Sequence, residues 1–476
     1  MKPYREMPQE EIEQELAEQR QQLKRYIERG LNLNLTRGKP SAEQLDLSMP
    51  LLDLLPSQGS ADAMHAGSAD DLRNYGNLTG LPEARELMGA IMGVPADNVI
   101  IGGNSSLNLM YDTVSMSMTH GVSGSKPWAL LDEQPVFLCP VPGYDRHFSV
   151  TEHFGIKMIP VPLSQTGPDM DIVEELVDSD PLIKGIWCVP RFSNPSGCVY
   201  SDETVRRFAS LAPAAEDFRI YWDNAYAVHD LVGWDACDEA GADSAGGKDS
   251  DPAACAGLAA GAAVGSAAGN DSGSDAGTNA SQLLNIKDAC EAASNPDIWY
   301  QFASTSKITF AGSGLSAMAS STENIKAITR KLGFQTIGPD KLNQKRHALF
   351  LPDINAVHKH MARHAAILKP KFDLVAHALA EGLTEADIGT WTDPKGGYFV
   401  SFDGLPGTAK RTVELAGEAG VVLTEAGAPY PYGNDPLDAN LRLAPTYPGL
   451  EELKSAMEVF VVCARIAALE QLQKSC

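Results

Sequence analysis

The sequence predicts an α/β fold in which a buried open sheet presents a ligand site along its carboxyl edge. Apolar, β-rich runs at 183–190 and 218–222 each end in small polar residues, Phe192-Ser-Asn-Pro-Ser-Gly197 and Trp222-Asp-Asn-Ala-Tyr226. Helical spacing of apolar residues is sustained at 8–29 and again at 353–383. Buried strands that exit into polar clusters place those clusters where ligands bind in open α/β sheets.

The 476 residues are enough for a large core and more than one domain. A formal charge of −24 argues against nucleic acid or an anionic membrane as partner, while leaving small anionic substrates open. No run is long and apolar enough to span a bilayer. Met1-Lys-Pro-Tyr-Arg-Glu6 lacks the apolar core of a secretory signal, so a cytoplasmic location is expected. The eight cysteines and ten histidines show no metal-ligand spacing, and no metal is expected. Cys139 and Cys188 lie in strand-like runs and read as core.

In chain order, 8–29 reads as a helix with Ile12, Leu16, Leu23 and Ile27 on one face and Gly30 as its stop. An extended segment at 31–35 leads into the turn Thr36-Arg-Gly-Lys-Pro40. A short strand at 99–101 is followed by Gly102-Gly-Asn-Ser-Ser106 and a helix beginning near Leu107. Backbone N–H groups and hydroxyls at a helix start suit an anion, so Asn104, Ser105 and Ser106 are phosphate candidates. Residues 128–148 read as strand, turn and helix. Ala, Gly, Ser and Asp dominate 235–281, which cannot bury enough surface to offset its ordering entropy and reads as a mobile surface insertion. Gly396-Gly-Tyr-Phe-Val-Ser401 and Asn440-Leu-Arg-Leu-Ala444 read as strands.

Chemistry concentrates in Phe302-Ala-Ser-Thr-Ser-Lys-Ile-Thr-Phe-Ala-Gly312. Lys307 can form a Schiff base where its surroundings depress its pKa. Ser304, Thr305 and Ser306 offer hydroxyl donors to an anion beside it. A cofactor with an aldehyde, a phosphate and an electron-sink ring uses all of these features, and pyridoxal 5′-phosphate is such a cofactor.

The order Asn194-Pro-x-Gly, Asp223-x-Ala-Tyr226, Ser304-x-x-Lys307 resembles the fold-type I pyridoxal-phosphate enzymes, and among them the aspartate aminotransferase family, over residues 31–445. Leu35-Thr-Arg-Gly-Lys-Pro40, Val141-Pro-Gly-Tyr-Asp-Arg-His-Phe148 and Ile337-Gly-Pro-Asp-Lys341 resemble a divergent bacterial branch of it. The resemblance implies a large cofactor domain (61–345) with a mostly parallel sheet flanked by helices. It also implies a smaller α/β domain drawn from both chain ends (1–60 and 346–476).

The resemblance further assigns roles. Lys307 bonds the cofactor and shuttles the proton, Asp223 keeps the pyridine nitrogen protonated, and Tyr226 and Asn194 bond the ring's phenolic oxygen. Ser304 and Ser306 join the phosphate site, with Tyr75 reaching the phosphate of a neighbouring subunit in a homodimer with shared sites. An aromatic ring commonly covers the pyridine; here Val141 takes the aligned position and Tyr144 follows. Arg442 is the substrate α-carboxylate anchor and Gly38 lies against substrate. The family's phosphate-binding arginine is absent, Gly314 and Leu315 standing there. Its side-chain carboxylate arginine is replaced by Gly338, leaving Lys341, Arg346 and Arg37 as substitutes. The implied reaction passes an amino group from L-aspartate to 2-oxoglutarate. The alternatives are other donors, neutral or aromatic, or a lyase on the same fold.

Overall fold

The computed structural model describes residues 2–36, 38–55, 65, 71–233 and 283–475. The expected insertion at 235–281 and Arg37 lie outside them.

The helix Gln9–Glu28 buries Ile12, Leu16 and Leu23 as expected, but Tyr26 continues the stripe and Ile27 is 42% exposed. The apolar face lies in one core with the C-terminal helix Leu450–Ser475, and Arg20–Glu470 and Arg29–Glu458 ion pairs flank the contact. Strand β1 (Leu33–Asn34) follows.

Eight strands then build the central sheet: β2 (Val99–Ile101), β3 (Val136–Val141), β4 (Lys157–Ser164), β5 (Gly167–Pro168), β6 (Ile183–Cys188), β7 (Arg219–Asp223), β8 (Trp299–Ser304) and β9 (Ser316–Ser320). Their spatial order is β2-β9-β8-β7-β6-β3-β4-β5. The pairs from β8 across to β4 are parallel, while β9 and β5 run antiparallel to their neighbours. Successive side chains leave a strand on opposite faces. Phe137, Trp187, Tyr221 and Phe302 therefore enter one core, while Leu138, Ile186, Ile220 and Trp222 enter the other. Burial on both faces explains why these strands read as continuous apolar runs.

From β3 the chain lays β4 on one side and β6, β7 and β8 on the other. The carboxyl ends of β3 and β6 thus diverge at a switch point, where a ligand crevice opens. The expected strand at 128–138 begins later: Trp128–Leu130 is a short 3₁₀ turn, fixed by a Trp128 indole bond to Asp217 (2.8 Å).

The helix Ile354–Leu383 carries the chain to a smaller sheet, even with Pro370 inside it. Strands β10 (Gly389–Trp391), β11 (Val400–Gly404) and β13 (Asn440–Leu443) form an antiparallel sheet, while β12 (Val421–Val422) pairs with β1. Chain start and chain end therefore share structure. The strand expected at 396–401 starts only at Val400. Gly396 and Gly397 instead form a tight turn against Phe192, where a Cβ on Gly396 would lie 2.3 Å from the ring. Among the described residues no helix is long and apolar enough to cross a membrane.

Candidate active site

Several strand ends of the large sheet deliver side chains into one cavity of about 570 Å³ at the switch point. Strand β7 ends on Asp223, which is 3% exposed and still in register with Phe302 of β8. Its Oδ2 lies 3.0 Å from His147 Nε2. A carboxylate only accepts, so that nitrogen carries the proton. His147 is held in turn by stacking on Trp187, with centroids 4.5 Å apart and planes 10° off parallel. Asp223 Oδ1 is buried with no hydrogen-bond partner among the described residues. A bare buried acceptor costs about 1–3 kcal/mol, and more when charged, so a ligand donor is its natural partner.

Lys307 follows β8 on a turn closed by Thr305. The Thr305 carbonyl accepts the N–H groups of Ile308 and Thr309 (2.9 and 2.8 Å), and its hydroxyl accepts Leu315 N–H (2.8 Å). Lys307 Nζ stands 5.1 Å from the centre of the Tyr226 ring and 5.8 Å from that of Tyr398. Burial lowers its pKa, partly opposed by the charge of Asp223, and so favours the neutral amine over what a surface lysine shows. Tyr226, on the turn after β7, has its hydroxyl pushed well up by burial and by Tyr144 and Asp223 nearby.

Asn104, Ser304 and Ser306 come together. Ser304 Oγ donates to Ser306 Oγ (3.1 Å), Ser306 Oγ to the Asn104 carbonyl (3.1 Å), and Asn104 Nδ2 to the Gly312 carbonyl (3.3 Å). The helix Ser106–His120 starts at this junction, and the side chain of its N-cap, Ser105, makes no capping bond. Gly314 packs behind it, where a Cβ would lie 3.2 Å from Ser306 N, and Leu315 is buried; neither position has room for a cation.

On the opposite wall Arg442, from β13, is 7% exposed and packs over Phe399 (5.1 Å). Its Nη1 donates to Asp145 Oδ1 (2.8 Å) and approaches Asn194 Oδ1 (3.4 Å), while its buried Nε has no partner among the described residues. Gly38 lies on Phe399 so closely that a Cβ would meet the ring at 2.5 Å. Tyr144 lines the cavity and Val141 does not. Burial and the charges of Asp223 and Asp145 push the Tyr144 hydroxyl up to about 12.

Two expected substitutes for the side-chain carboxylate anchor are placed elsewhere. Lys341 is 4% exposed and donates to the carbonyls of Asp71 (2.9 Å) and Tyr75 (3.3 Å), away from the cavity. It fixes the Tyr75 loop instead. Arg346 is partly buried and does not line the cavity either. Among the described residues the cations that do, besides Lys307 and Arg442, are Lys39 and Arg146. Tyr75 is 81% exposed and outside the cavity of its own chain.

Sequence reasoning missed His147, Asp145, Arg146, Lys39 and Val189. The first three sit in Tyr144-Asp-Arg-His147, whose one-turn spacing sends His147 into the sheet and leaves Asp145 and Arg146 at the mouth. A histidine at the start of a helix after a buried strand was the available signal. Among the described residues no group of three or more His, Cys, Asp or Glu side chains is placed to hold a metal ion.

The family model for aspartate amino-transferase matches residues 7–270 and 271–475. An aminotransferase of Mycolicibacterium smegmatis is 46% identical over 461 residues, covering 96% of each chain. The aspartate aminotransferase of Corynebacterium glutamicum is 43% identical over 443 residues, covering 93% of this chain and 91% of its own. A crystal structure of an aspartate transaminase from Corynebacterium glutamicum superposes with a TM-score of 0.85 at 41% identity, over 99% of both chains.

Proposed function

Because the chain belongs to the aspartate aminotransferase family and is an aminotransferase of fold type I, we propose that it moves an amino group from L-aspartate to 2-oxoglutarate with pyridoxal phosphate. The products are oxaloacetate and L-glutamate. One observation carries this reading: a half-buried lysine whose charged form is disfavoured lines the same cavity as a buried carboxylate with one bare oxygen.

The residues fit that cofactor. A protonated pyridine nitrogen is the donor that Asp223 Oδ1 lacks, and His147 keeps the other oxygen occupied and the carboxylate aimed. Asn104, Ser105, Ser106, Ser304 and Ser306 supply hydroxyl and N–H donors for a phosphate at a helix start. When bound, the cofactor supplies a carbonyl for the amine and a ring that accepts an electron pair.

The side chains do the rest. Lys307 provides the neutral amine that bonds the cofactor, and later takes and returns the proton at the substrate Cα. Tyr226 keeps its proton, because burial disfavours its own anion, and so donates a hydrogen bond to a phenolic oxygen. Arg442 orients the α-carboxylate through a planar fork, and the Asp145 carboxylate must yield that guanidinium as substrate arrives. Arg146, in the same cavity wall, takes the second carboxylate, with Lys39 adding positive charge at the mouth.

We place Tyr75 against a neighbouring subunit. It is exposed together with Phe334 (92%) and Ile337 (61%), and its loop packs on Gly338, where a Cβ would meet Gly76 O at 2.2 Å. Such an apolar surface fits a two-fold homodimer with shared sites.

A donor panel of aspartate, glutamate, alanine and phenylalanine with 2-oxoglutarate tests the substrate reading, and borohydride trapping with peptide mapping tests Lys307. Aspartate and glutamate should lead the panel and the reduced cofactor should be found on Lys307. Preference for neutral donors would end the dicarboxylate assignment.

A further inference from the structure

Behind Lys307 lies a buried hydrogen-bond network that no step above uses. It joins Gln44 on the short helix Ala42–Asp46, His360 and His364 on the helix Ile354–Leu383, and Tyr398 at the turn before β11. All four are 5% exposed or less.

The polarity of the network follows from atoms that can play only one role. Gln44 Oε1 accepts the Ser41 N–H (3.0 Å), which assigns Nε2 as the amide donor. That nitrogen lies 3.0 Å from His364 Nδ1 and 2.9 Å from the Tyr398 hydroxyl. His364 Nδ1 must therefore accept, and its ring proton is on Nε2. Tyr398, accepting from Gln44, turns its own proton to the Lys307 carbonyl (3.4 Å). His360 Nε2 lies 2.7 Å from the Ile308 carbonyl, which only accepts, so it too is an N–H. The two Nε2 atoms stand 3.1 Å apart, and Ser48 Oγ lies 3.3 Å from His360 Nε2. Two rings this close repel each other when both are charged, which favours the neutral forms. Burial holds them so, pushing His364 down to about 3 and lowering His360.

Tyr398 and His360 thus donate to the consecutive carbonyls of Lys307 and Ile308, with Gln44 holding Tyr398 and His364, and His364 packed against His360. From this geometry we infer that Gln44, His360, His364 and Tyr398 are positioning residues that clamp the main chain carrying the nucleophilic lysine. The inference rests on the reading of Lys307 as the cofactor lysine. Burial alone would be met by apolar side chains, whereas four polar side chains from three elements converge on two adjacent peptide units. A displacement of about 1 Å in a reacting group can cost on the order of a hundredfold in rate.

The test uses the holoenzyme. In Gln44→Met and His360→Leu, kcat per bound cofactor should fall about ten- to a hundredfold while KM for each substrate stays within about threefold. His360→Gln, which keeps a donor at the Nε2 position, should recover to within about threefold of the parent. Imidazole ¹⁵N shifts of the parent at pH 7 should show His360 and His364 as neutral Nε2–H tautomers, a readout independent of turnover. An unchanged rate per cofactor in both apolar variants, no recovery in His360→Gln, or an Nδ1–H or charged ring would overturn the clamp. If trapping places the cofactor on another lysine, the active-site reading falls and the clamp falls with it. If trapping marks Lys307 and the apolar variants are fully active, only the clamp is lost.

Discussion

The floor of the cavity and its mouth are built on different principles. The floor is Asp223, Tyr226 and Lys307, with His147 behind Asp223, carried by one sheet and the helix packed on it; all are buried except the half-buried Lys307. The mouth is Arg442, Asp145, Arg146 and Lys39, drawn from both the large and the small sheet, with Asp145 paired to Arg442, whose buried Nε has no partner among the described residues. Buried groups with fixed partners are set before a ligand arrives. Exchangeable ion pairs let a substrate replace a protein carboxylate at little net cost. On the proposed function, chemistry that must be the same in both half-reactions belongs to the floor, and selection among amino acids to the mouth.

The sharpest way to break this comparison is Lys307→Ala. Turnover should drop by about four orders of magnitude, while cofactor is still retained noncovalently and seen by absorbance. Residual activity within tenfold of the parent would remove the floor from the chemistry.

At the mouth, Arg442→Ala removes a charge-assisted bond shared by all amino acids. A loss of about 2–5 kcal/mol, or roughly thirty- to several-thousand-fold in kcat/KM, is expected for every donor. Arg146→Ala should be smaller and selective, about ten- to a hundredfold against aspartate and glutamate, with alanine spared. Equal losses for alanine and aspartate in Arg146→Ala would show that it is not the side-chain anchor.

Other histidines of the fold predict a pH dependence of stability. The buried His229, His347, His360 and His364 and the half-buried His358 all have pKa values lowered by burial. Below about pH 6.5 the unfolded chain takes up protons that the folded one refuses. Stability is therefore present above the unfolded value and falls as pH falls, for His364 down to about 3. Each such histidine contributes a slope of up to about 1.4 kcal/mol per pH unit. Thermal melts from pH 7.5 to 4.5 should show Tm declining, less steeply in His364→Gln. Parallel declines in both proteins would exclude His364 as a source.

The smallest effect concerns the subunit neighbour. Diluting the enzyme below its dimer dissociation constant should lower specific activity in step with the loss of dimer by sedimentation, and Tyr75→Phe should weaken phosphate retention only modestly. A fully active monomer would confine the whole site to one chain.

The floor was largely legible in the amino-acid order. Each of its residues lies within a few positions of the end of a strand buried on both faces, so the apolar run announces where the chain surfaces and the adjoining polar residues announce what it surfaces with. Asp223, Tyr226, Lys307 and Asn194 were all found that way, as were the Ser304–Ser306 hydroxyls and the loop at Asn104. The helix Ile354–Leu383 was legible for the same reason, since periodicity is a local property. The mouth was not. Whether Lys341 or Arg146 faces the cavity depends on how segments about two hundred residues apart lie against each other, and a lysine that caps two carbonyls has the same local sequence signature as one awaiting a ligand. His147 and the histidines behind Lys307 share that limit. Their partners are single atoms on distant elements, and only close packing brings those atoms within about 3 Å.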